Sequence, residues 1–346
     1  MNPSDSISGV NVAVVGATGA VGEEMRRLLL ARRFPIRHLR FLASPRSAGR
    51  PLPFGDRTIN VEALRDDSFS GVQLALFSAG AAVSREWCPR AVAAGALVVD
   101  NSSAFRMDPT TPLIVPEING HRLPSAPALV SNPNCSTIQM VMALTPLHRL
   151  FGLGQVIVAT YQSTSGAGQQ AMNELDAATS GYLAGTEPAP VRFQRTIAFN
   201  LVPQIDEFAE LDYTKEEWKM VNETRKIMEL PGLPVTATCI RVPVHRGHSE
   251  VVWARFDHPV DLAKARAALA DFPGVVVEDD PAAKRYPTPR DAEGMDPVFV
   301  GRLRRDPTDE RALVFWVVAD NLLKGAALNA IQIAEAAFSG VGKPAS

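Results

Sequence analysis

Apolar positions in the first third of the chain follow one rhythm: a short run of β-branched residues, a turn, then apolar residues three and four apart. Val12-Ala13-Val14-Val15 predicts a buried strand, and Met25, Leu28 and Leu29 supply the inward face of a helix that begins after a glycine turn. Val72 to Phe77 predicts another strand, followed by a helix from Val83 to Ala94 that stops at Gly95, which takes positive φ at little cost. Ala96-Leu97-Val98-Val99 is the next strand. This alternation predicts an α/β fold, a Rossmann-type dinucleotide-binding domain with ligands at the carboxyl ends of parallel strands.

After Asn134 the predicted strands lengthen, as in Gln155–Tyr161, Val251–Phe256, Val298–Arg304 and Ala312–Val318, with helices and Pro-rich loops between them. The expected division is a dinucleotide-binding domain over residues 1–134 and a mixed α+β catalytic domain over 135–321. The alanine- and leucine-rich segment 322–340 is expected to form an amphipathic helix that packs back on the first domain. Pro281 to Pro297 reads as a long surface loop.

Composition narrows the function. The 346 residues exceed what one core usually organises. A formal charge of −2, with 46% apolar and 21% charged residues, gives no electrostatic reason for a nucleic-acid or anionic-membrane partner. Three widely spaced cysteines, Cys88, Cys135 and Cys239, fit a reducing compartment rather than a disulfide framework. The opening Met1–Ser6 lacks a basic segment leading into an apolar stretch, and no apolar run approaches the ~20 residues of a membrane span, so the expected location is cytoplasmic.

Gly16-Ala17-Thr18-Gly19-Ala20-Val21-Gly22 follows a strand and opens a helix, the context in which a glycine pattern counts as a nucleotide fingerprint. Glycines let the backbone approach a pyrophosphate, whose charge the helix N-terminus stabilises. The run Phe41-Leu42-Ala43-Ser44-Pro45-Arg46-Ser47 has no acid to hold ribose hydroxyls, but Arg46 and Ser47 suit a 2′-phosphate, so NADP is expected over NAD. The alternative for Arg46 is a solvated loop cation.

Ser131-Asn132-Pro133-Asn134-Cys135-Ser136-Thr137 precedes a helical face of Ile138, Met140, Val141 and Leu144, which puts Cys135 at a helix N-terminus. There the dipole favours the nucleophilic thiolate. Cys88 and Cys239, without polar surroundings in sequence, read as buried small hydrophobes. Tyr161-Gln162-Ser163-Thr164-Ser165-Gly166-Ala167-Gly168 ends a strand and opens a helix. Cys239 to His248 offers Arg241, able to clamp a carboxylate, and histidines suited to proton transfer. His245 and His248 lack further Cys, His or acid at metal-site spacing, so no metal is expected.

Together the glycine turn, Ser-Asn-Pro-Asn-Cys-Ser-Thr, Gln-Ser-Thr-Ser-Gly-Ala-Gly and the Arg-Val-Pro-Val segment ending in His resemble bacterial aspartate-semialdehyde dehydrogenase over nearly the whole chain. The resemblance implies reversible, phosphate-dependent oxidation of L-aspartate 4-semialdehyde to L-4-aspartyl phosphate with NADP, a step toward lysine, methionine and threonine. It makes Cys135 the nucleophile, His248 the general acid and base, and Gln162 the residue that orients substrate. Arg241 would pair with the α-carboxylate and Glu216 with the amino group; Arg106 and Lys219 would bind phosphate. Cofactor contacts carry over to Gly16, Thr18, Gly19, Ala20, Val21, Arg46, Ser47, Ser165, Gly166 and Asn321. The second domain resembles one that builds a dimer interface, leaving a homodimer or a tetramer open.

The chemistry is coherent, because capture of the aldehyde by a thiolate lets hydride leave and keeps the acyl group activated for phosphate, with backbone or Asn134 donors steadying the oxyanion. Against this, Glu216 and Lys219 lie in a charged helical stretch whose default is a solvated face. Two competing readings remain: N-acetyl-glutamyl-phosphate reductase, which also uses a cysteine thioester, and a non-catalytic relative. Ser-Asn-Pro-Asn-Cys speaks against the first, and retention of Cys135, Gln162, Arg241 and His248 against the second.

Overall fold

Strand β1 (Val10–Val15) lies at the centre of a seven-stranded sheet in the computed structural model, which describes residues 9–186 and 188–339. Its companions are β2 (Ile36–Ala43), β3 (Pro51–Phe54), β4 (Arg57–Ala63), β5 (Leu74–Phe77), β6 (Leu97–Asp100) and β7 (Ala128–Ser131), in the order β3-β4-β2-β1-β5-β6-β7. Every pairing is parallel except β3 with β4. Pro51 and Pro53 confine β3 to the edge, since neither supplies an N–H to a second neighbour. β5 and β6 are buried along their whole length, which is why they read as continuous apolar runs rather than alternating ones.

Helices α1 (Ala20–Ala31), α2 (Ala81–Ala93) and the single turn α3 (Pro116–Asn119) accompany this sheet. The chain divides into two units, the first running to Pro133 and taking up the chain again from Ala326. Its C-terminal helix, Leu328–Ala337, packs on α1, α3 and β6. Arg32 holds Glu335 with two hydrogen bonds of 2.7 and 2.8 Å, and Asn329 donates to the Ile114 carbonyl and the Asn132 side chain. The helix is shorter than the expected 322–340, because Leu323–Ala327 winds as a π-type turn; residue 340 lies outside the described residues.

The second unit, Asn134–Gly325, is built on a six-stranded sheet. Its strands are β8 (Leu153–Gln162), β9 (Val235–Arg241), β10 (His248–Phe256), β11 (Val275–Val277), β12 (Val298–Arg305) and β13 (Ala312–Ala319), ordered β11-β12-β13-β10-β8-β9. Antiparallel pairs form its middle and parallel pairs, β8–β9 and β11–β12, its edges. Helices α4 (Cys135–Phe151), α6 (Lys215–Ile227) and α7 (Leu262–Ala270) contact one another through α4 and lie on the sheet, while α5 (Gln169–Ala184) follows β8. Alternation leaves Ile157, Tyr161, Val251, Trp253, Val314 and Trp316 partly or well exposed between buried neighbours. The Pro-rich stretch 281–297 holds one helical turn, Pro289–Ala292. Among the described residues no helix is long and apolar enough to cross a membrane.

Candidate active site

The glycine turn joins β1 to α1 in the first unit. Gly16 has φ +83°, and a Cβ there would stand 2.3 Å from the Ser78 carbonyl oxygen; a Cβ on Gly22 would stand 2.2 Å from the Gly16 oxygen. Both glycines are therefore demanded by the way the turn folds on itself. Gly19 is different: it is exposed, and its Cβ would meet only the Gly16 oxygen, at 3.6 Å. It is also the N-cap of α1 and supplies no side-chain cap, so the first amides of the helix face outward uncapped. This cradle fits a pyrophosphate, because neither a Cβ at Gly19 nor a capping side chain stands before the first amides of α1.

Thr18, Ala20 and Val21 flank that opening, each half-buried. Beyond the end of β2, Pro45–Ser47 forms a short 3-10 turn with Arg46 exposed and no acid in the run. Arg106 is buried in the same unit, where Nε donates to the Asn132 carbonyl and Nη2 to the Asn101 carbonyl, each at 2.9 Å.

In the second unit Cys135 is the first residue of α4 and is partly exposed, whereas Cys88 and Cys239 are buried. Burial pushes the Cys239 and Cys88 thiols well up, which makes both inert as nucleophiles. Asn134 caps α4: its Oδ1 accepts from the amides of Ser136 and Thr137 at 3.0 and 3.2 Å, and its Nδ2 donates to Glu216 at 2.8 Å. Its own amide donates to Glu223 at 2.6 Å. The Asn134 side chain thus holds the helix start and ties it to Glu216.

Gln162, at the end of β8, donates to the Ser136 hydroxyl and to Glu216. Glu216 is nearly inaccessible, not part of a solvated face. Burial alone would raise its pKa, but the Lys219 charge and the hydrogen bonds from Asn134, Lys219 and Gln162 outweigh that and hold the carboxyl at about 2. Lys219 sits between Asp206, at 2.9 Å, and Glu216, at 3.0 Å, and these acids raise its pKa against the effect of burial. The Thr214–Glu217 capping box starts α6 so that Glu216 and Lys219, three residues apart, share one face.

Arg241, at the end of β9, and His248, at the start of β10, meet across Ser163. The Ser163 carbonyl accepts from Arg241 Nη1 at 2.6 Å, and the Ser163 amide donates to His248 Nδ1 at 3.1 Å. Burial, reinforced by the Arg241 charge, holds the His248 pKa down at about 3, so the ring is neutral at physiological pH. Its Nε2 is buried without a hydrogen-bond partner among the described residues. Gly166 keeps the space before it open, since a Cβ there would lie 3.0 Å from Arg241 Nη1 and 3.1 Å from His248 Nε2. Asn321 braces the loop: its Oδ1 accepts from the Gly247 amide at 3.0 Å, and it hydrogen-bonds the hydroxyls of Ser163 and Ser165. His245 points elsewhere and pairs with Asp176 at 2.9 Å on the surface.

The fold therefore gathers Cys135, Gln162, Glu216, Lys219, Arg241 and His248 into one unit, through side-chain contacts that no spacing in sequence displays. Three contributors escape a sequence reading. Ser136 and Ser163 act only as hydrogen-bond partners and carry no pattern of their own. Gly325 approaches Cys135 so closely that a Cβ would lie 2.9 Å from the cysteine Cβ; its one signal is a lone glycine inside an alanine- and leucine-rich run.

Residues 11–126 match the family model described as semialdehyde dehydrogenase, NAD binding domain, and residues 144–324 the one described as semialdehyde dehydrogenase, dimerisation domain. The aspartate-semialdehyde dehydrogenase of Bacillus subtilis is 49% identical over 335 residues, covering 94% of this chain and 97% of its own length. Among solved structures, the chain is similar to aspartate semialdehyde dehydrogenase II of Vibrio cholerae complexed with ASA, with a TM-score of 0.91, 44% identity and coverage of 95% and 98%. It is similar also to the Candida albicans aspartate semialdehyde dehydrogenase with NADP, with a TM-score of 0.75, 26% identity and coverage of 95% and 98%.

Proposed function

Because the chain belongs to the aspartate-semialdehyde dehydrogenase family and is an oxidoreductase of that kind, we propose that it carries out the reversible, NADP- and phosphate-dependent oxidation of L-aspartate 4-semialdehyde to L-4-aspartyl phosphate through a thioester on Cys135. The proposed reaction belongs to the biosynthesis of lysine, through diaminopimelate, and of methionine and threonine, and the proposed location is the cytoplasm. The observation that carries the mechanism is the position of Cys135: first residue of α4, partly exposed, in the same unit as a charged and hydrogen-bonded set of Gln162, Glu216, Arg241 and His248.

The Cys135 thiolate adds to the aldehyde carbon, favoured by the positive end of α4. Arg241 binds the substrate α-carboxylate with the part of its guanidinium not turned to Ser163, while Glu216, held ionised, attracts the amino group. Gln162 orients the bound group and His248 presents Nε2 to the reacting oxygen. A bound dinucleotide supplies the hydride acceptor. The thioester left on Cys135 keeps the acyl carbon electrophilic, and attack by phosphate expels the thiolate and regenerates the nucleophile. Lys219, only partly exposed, and Arg106 are the cations that the family resemblance assigns to phosphate. A match to a dimerisation domain, together with a sheet face carrying half-exposed Tyr161, Trp253 and Trp316, supports a homodimer.

The test is reduction of NADP or NAD by purified protein given aspartate semialdehyde or N-acetylglutamate semialdehyde, with and without phosphate. The expected result is turnover with the aspartyl substrate, NADP and phosphate. Preference for the acetylglutamyl substrate would overturn the assignment.

A further inference from the structure

Gly247, the residue before His248, is fixed from several sides. Its main chain hydrogen-bonds the His248 ring, and its amide donates to Asn321 Oδ1 at 3.0 Å. Its φ is +90°, and a Cβ there would lie 2.9 Å from the Pro289 carbonyl oxygen. Glycine is required on both counts. The Pro-rich stretch 281–297 therefore backs the turn that delivers the histidine.

One carboxylate gathers these segments. Asp320, directly after β13, is wholly buried. Its Oδ2 accepts from Arg246 Nε at 2.6 Å and from the Gly294 amide at 2.7 Å. Its Oδ1 accepts from the amides of Leu322 and Leu323 at 2.9 and 3.3 Å. The Asp320 carbonyl accepts from the Gly325 amide at 3.2 Å, and Gly325 is the glycine that stands against Cys135. The acid is thus bonded to the residue two before His248, to the Pro-rich stretch and to the turn behind the nucleophile. Desolvation offsets much of the attraction in a buried ion pair, so stability is a weak reason for Asp320 and Arg246 to meet here. Geometry is the stronger one.

We propose that Asp320, acting through Arg246, is a positioning residue that sets His248 against the substrate carried on Cys135. The inference rests on the thioester reading, which has the two side chains act on one carbonyl group. Cys135 opens α4 and His248 opens β10, so the segments abutting each of them govern how they face one another. Asp320 is bonded to both segments. Displacement of a reacting group by about 1 Å costs on the order of 100-fold in rate, which gives such a tie a function.

The test uses the full-length protein with Arg246→Gln, Asp320→Asn, the two combined, and Arg246→Lys. Arg246→Gln and Asp320→Asn are each expected to lower kcat by roughly 10- to 100-fold. KM for aspartate semialdehyde and the rate of Cys135 alkylation by iodoacetamide should stay within about threefold of the wild type. The combined variant is expected to lose no more than the worse single one, and Arg246→Lys, which keeps the cation, to recover most of kcat. In nitrogen-15 spectra of histidine-labelled protein without substrate, the His248 signal is identified by its loss in His248→Gln. It is expected to shift or split in Arg246→Gln. Losses that multiply in the combined variant, an unchanged kcat in folded Arg246→Gln, or an unmoved His248 signal would each overturn the proposal. Unfolding of both single variants would also overturn it, by making the pair a purely structural one. If Asp320→Asn alone fails to fold, kcat, rescue and spectra of the Arg246 variants decide. A wild type that does not oxidise aspartate semialdehyde, with the His248 signal still displaced in Arg246→Gln, would leave the positioning role standing and remove the proposed function instead.

Discussion

The glycine turn and the Cys135 cluster are two ways of building a site. The turn is made from seven consecutive residues and works through backbone: a positive-φ glycine, a helix start without a side-chain cap, and an absence of Cβ atoms. The cluster is made from the starts and ends of α4, β8, α6, β9 and β10 and works through side chains with little access to solvent. A contiguous backbone site tolerates replacement of its surroundings but not of its glycines. A cluster of buried charges tolerates little change in either charge or partner, because each carboxylate and cation is kept ionised by its neighbours.

The largest expected effect falls on the cluster. Cys135→Ala should lower turnover by roughly 10⁴-fold or more with the melting temperature unchanged, as measured by NADPH formation and thermal unfolding. Activity persisting in that variant would remove the thioester.

The glycine turn should separate into structural and binding positions. Gly22→Ala forces a Cβ to 2.2 Å from a backbone oxygen and is expected to destabilise the protein by about 3 kcal/mol or more. Gly19→Ala should leave the unfolding transition in place and weaken dinucleotide binding, read by calorimetry, by about tenfold. Equal behaviour of the two variants would break the distinction between them.

Acid should act on the cluster first. The Glu216 carboxyl is at about 2 in the folded protein against a usual 4.5, so its contribution is present above pH 4.5 and is lost as the pH falls toward 2. That shift corresponds to about 3 kcal/mol. His248, neutral in the fold down to about pH 3 against a usual 6.5, adds its own loss of stability from pH 6.5 downward. The informative quantity is therefore the difference between wild type and Glu216→Gln in urea unfolding, which should shrink between pH 4.5 and 2. A constant difference would mean that Glu216 is not held ionised.

The smallest effect concerns cofactor choice. Arg46→Ala is expected to reduce the preference for NADP over NAD by about tenfold, the value of one exposed charge-assisted contact. Unchanged preference would return Arg46 to the role of a solvated loop cation.

Legibility in the sequence follows the same division. The strands around β1, β5 and β6, the helix after Gly19 and the start of α4 at Cys135 are visible because periodicity and glycine chemistry are local. Strand β3 is not, since Pro51 and Pro53 interrupt any strand pattern. Glu216 and Lys219 show the limit more sharply: a run of Lys-Glu-Glu-Trp-Lys looks like a solvated face, yet β9 and α4 lie against this helix and Glu216 ends nearly inaccessible. Asn134 stands beside the nucleophile in sequence, and the fold uses its side chain to cap the helix and to hold Glu216.

By itself the sequence determined the βα rhythm, the backbone cradle at Gly16–Gly22 and the placing of a cysteine at a helix N-terminus, because each depends on residues within one or two turns of one another. Only the tertiary structure decided why His248 stays neutral, why Glu216 stays charged and what Gly166 and Gly325 leave room for. Those depend on distances and on exclusion from water between segments far apart in the chain, and no spacing along a sequence encodes either.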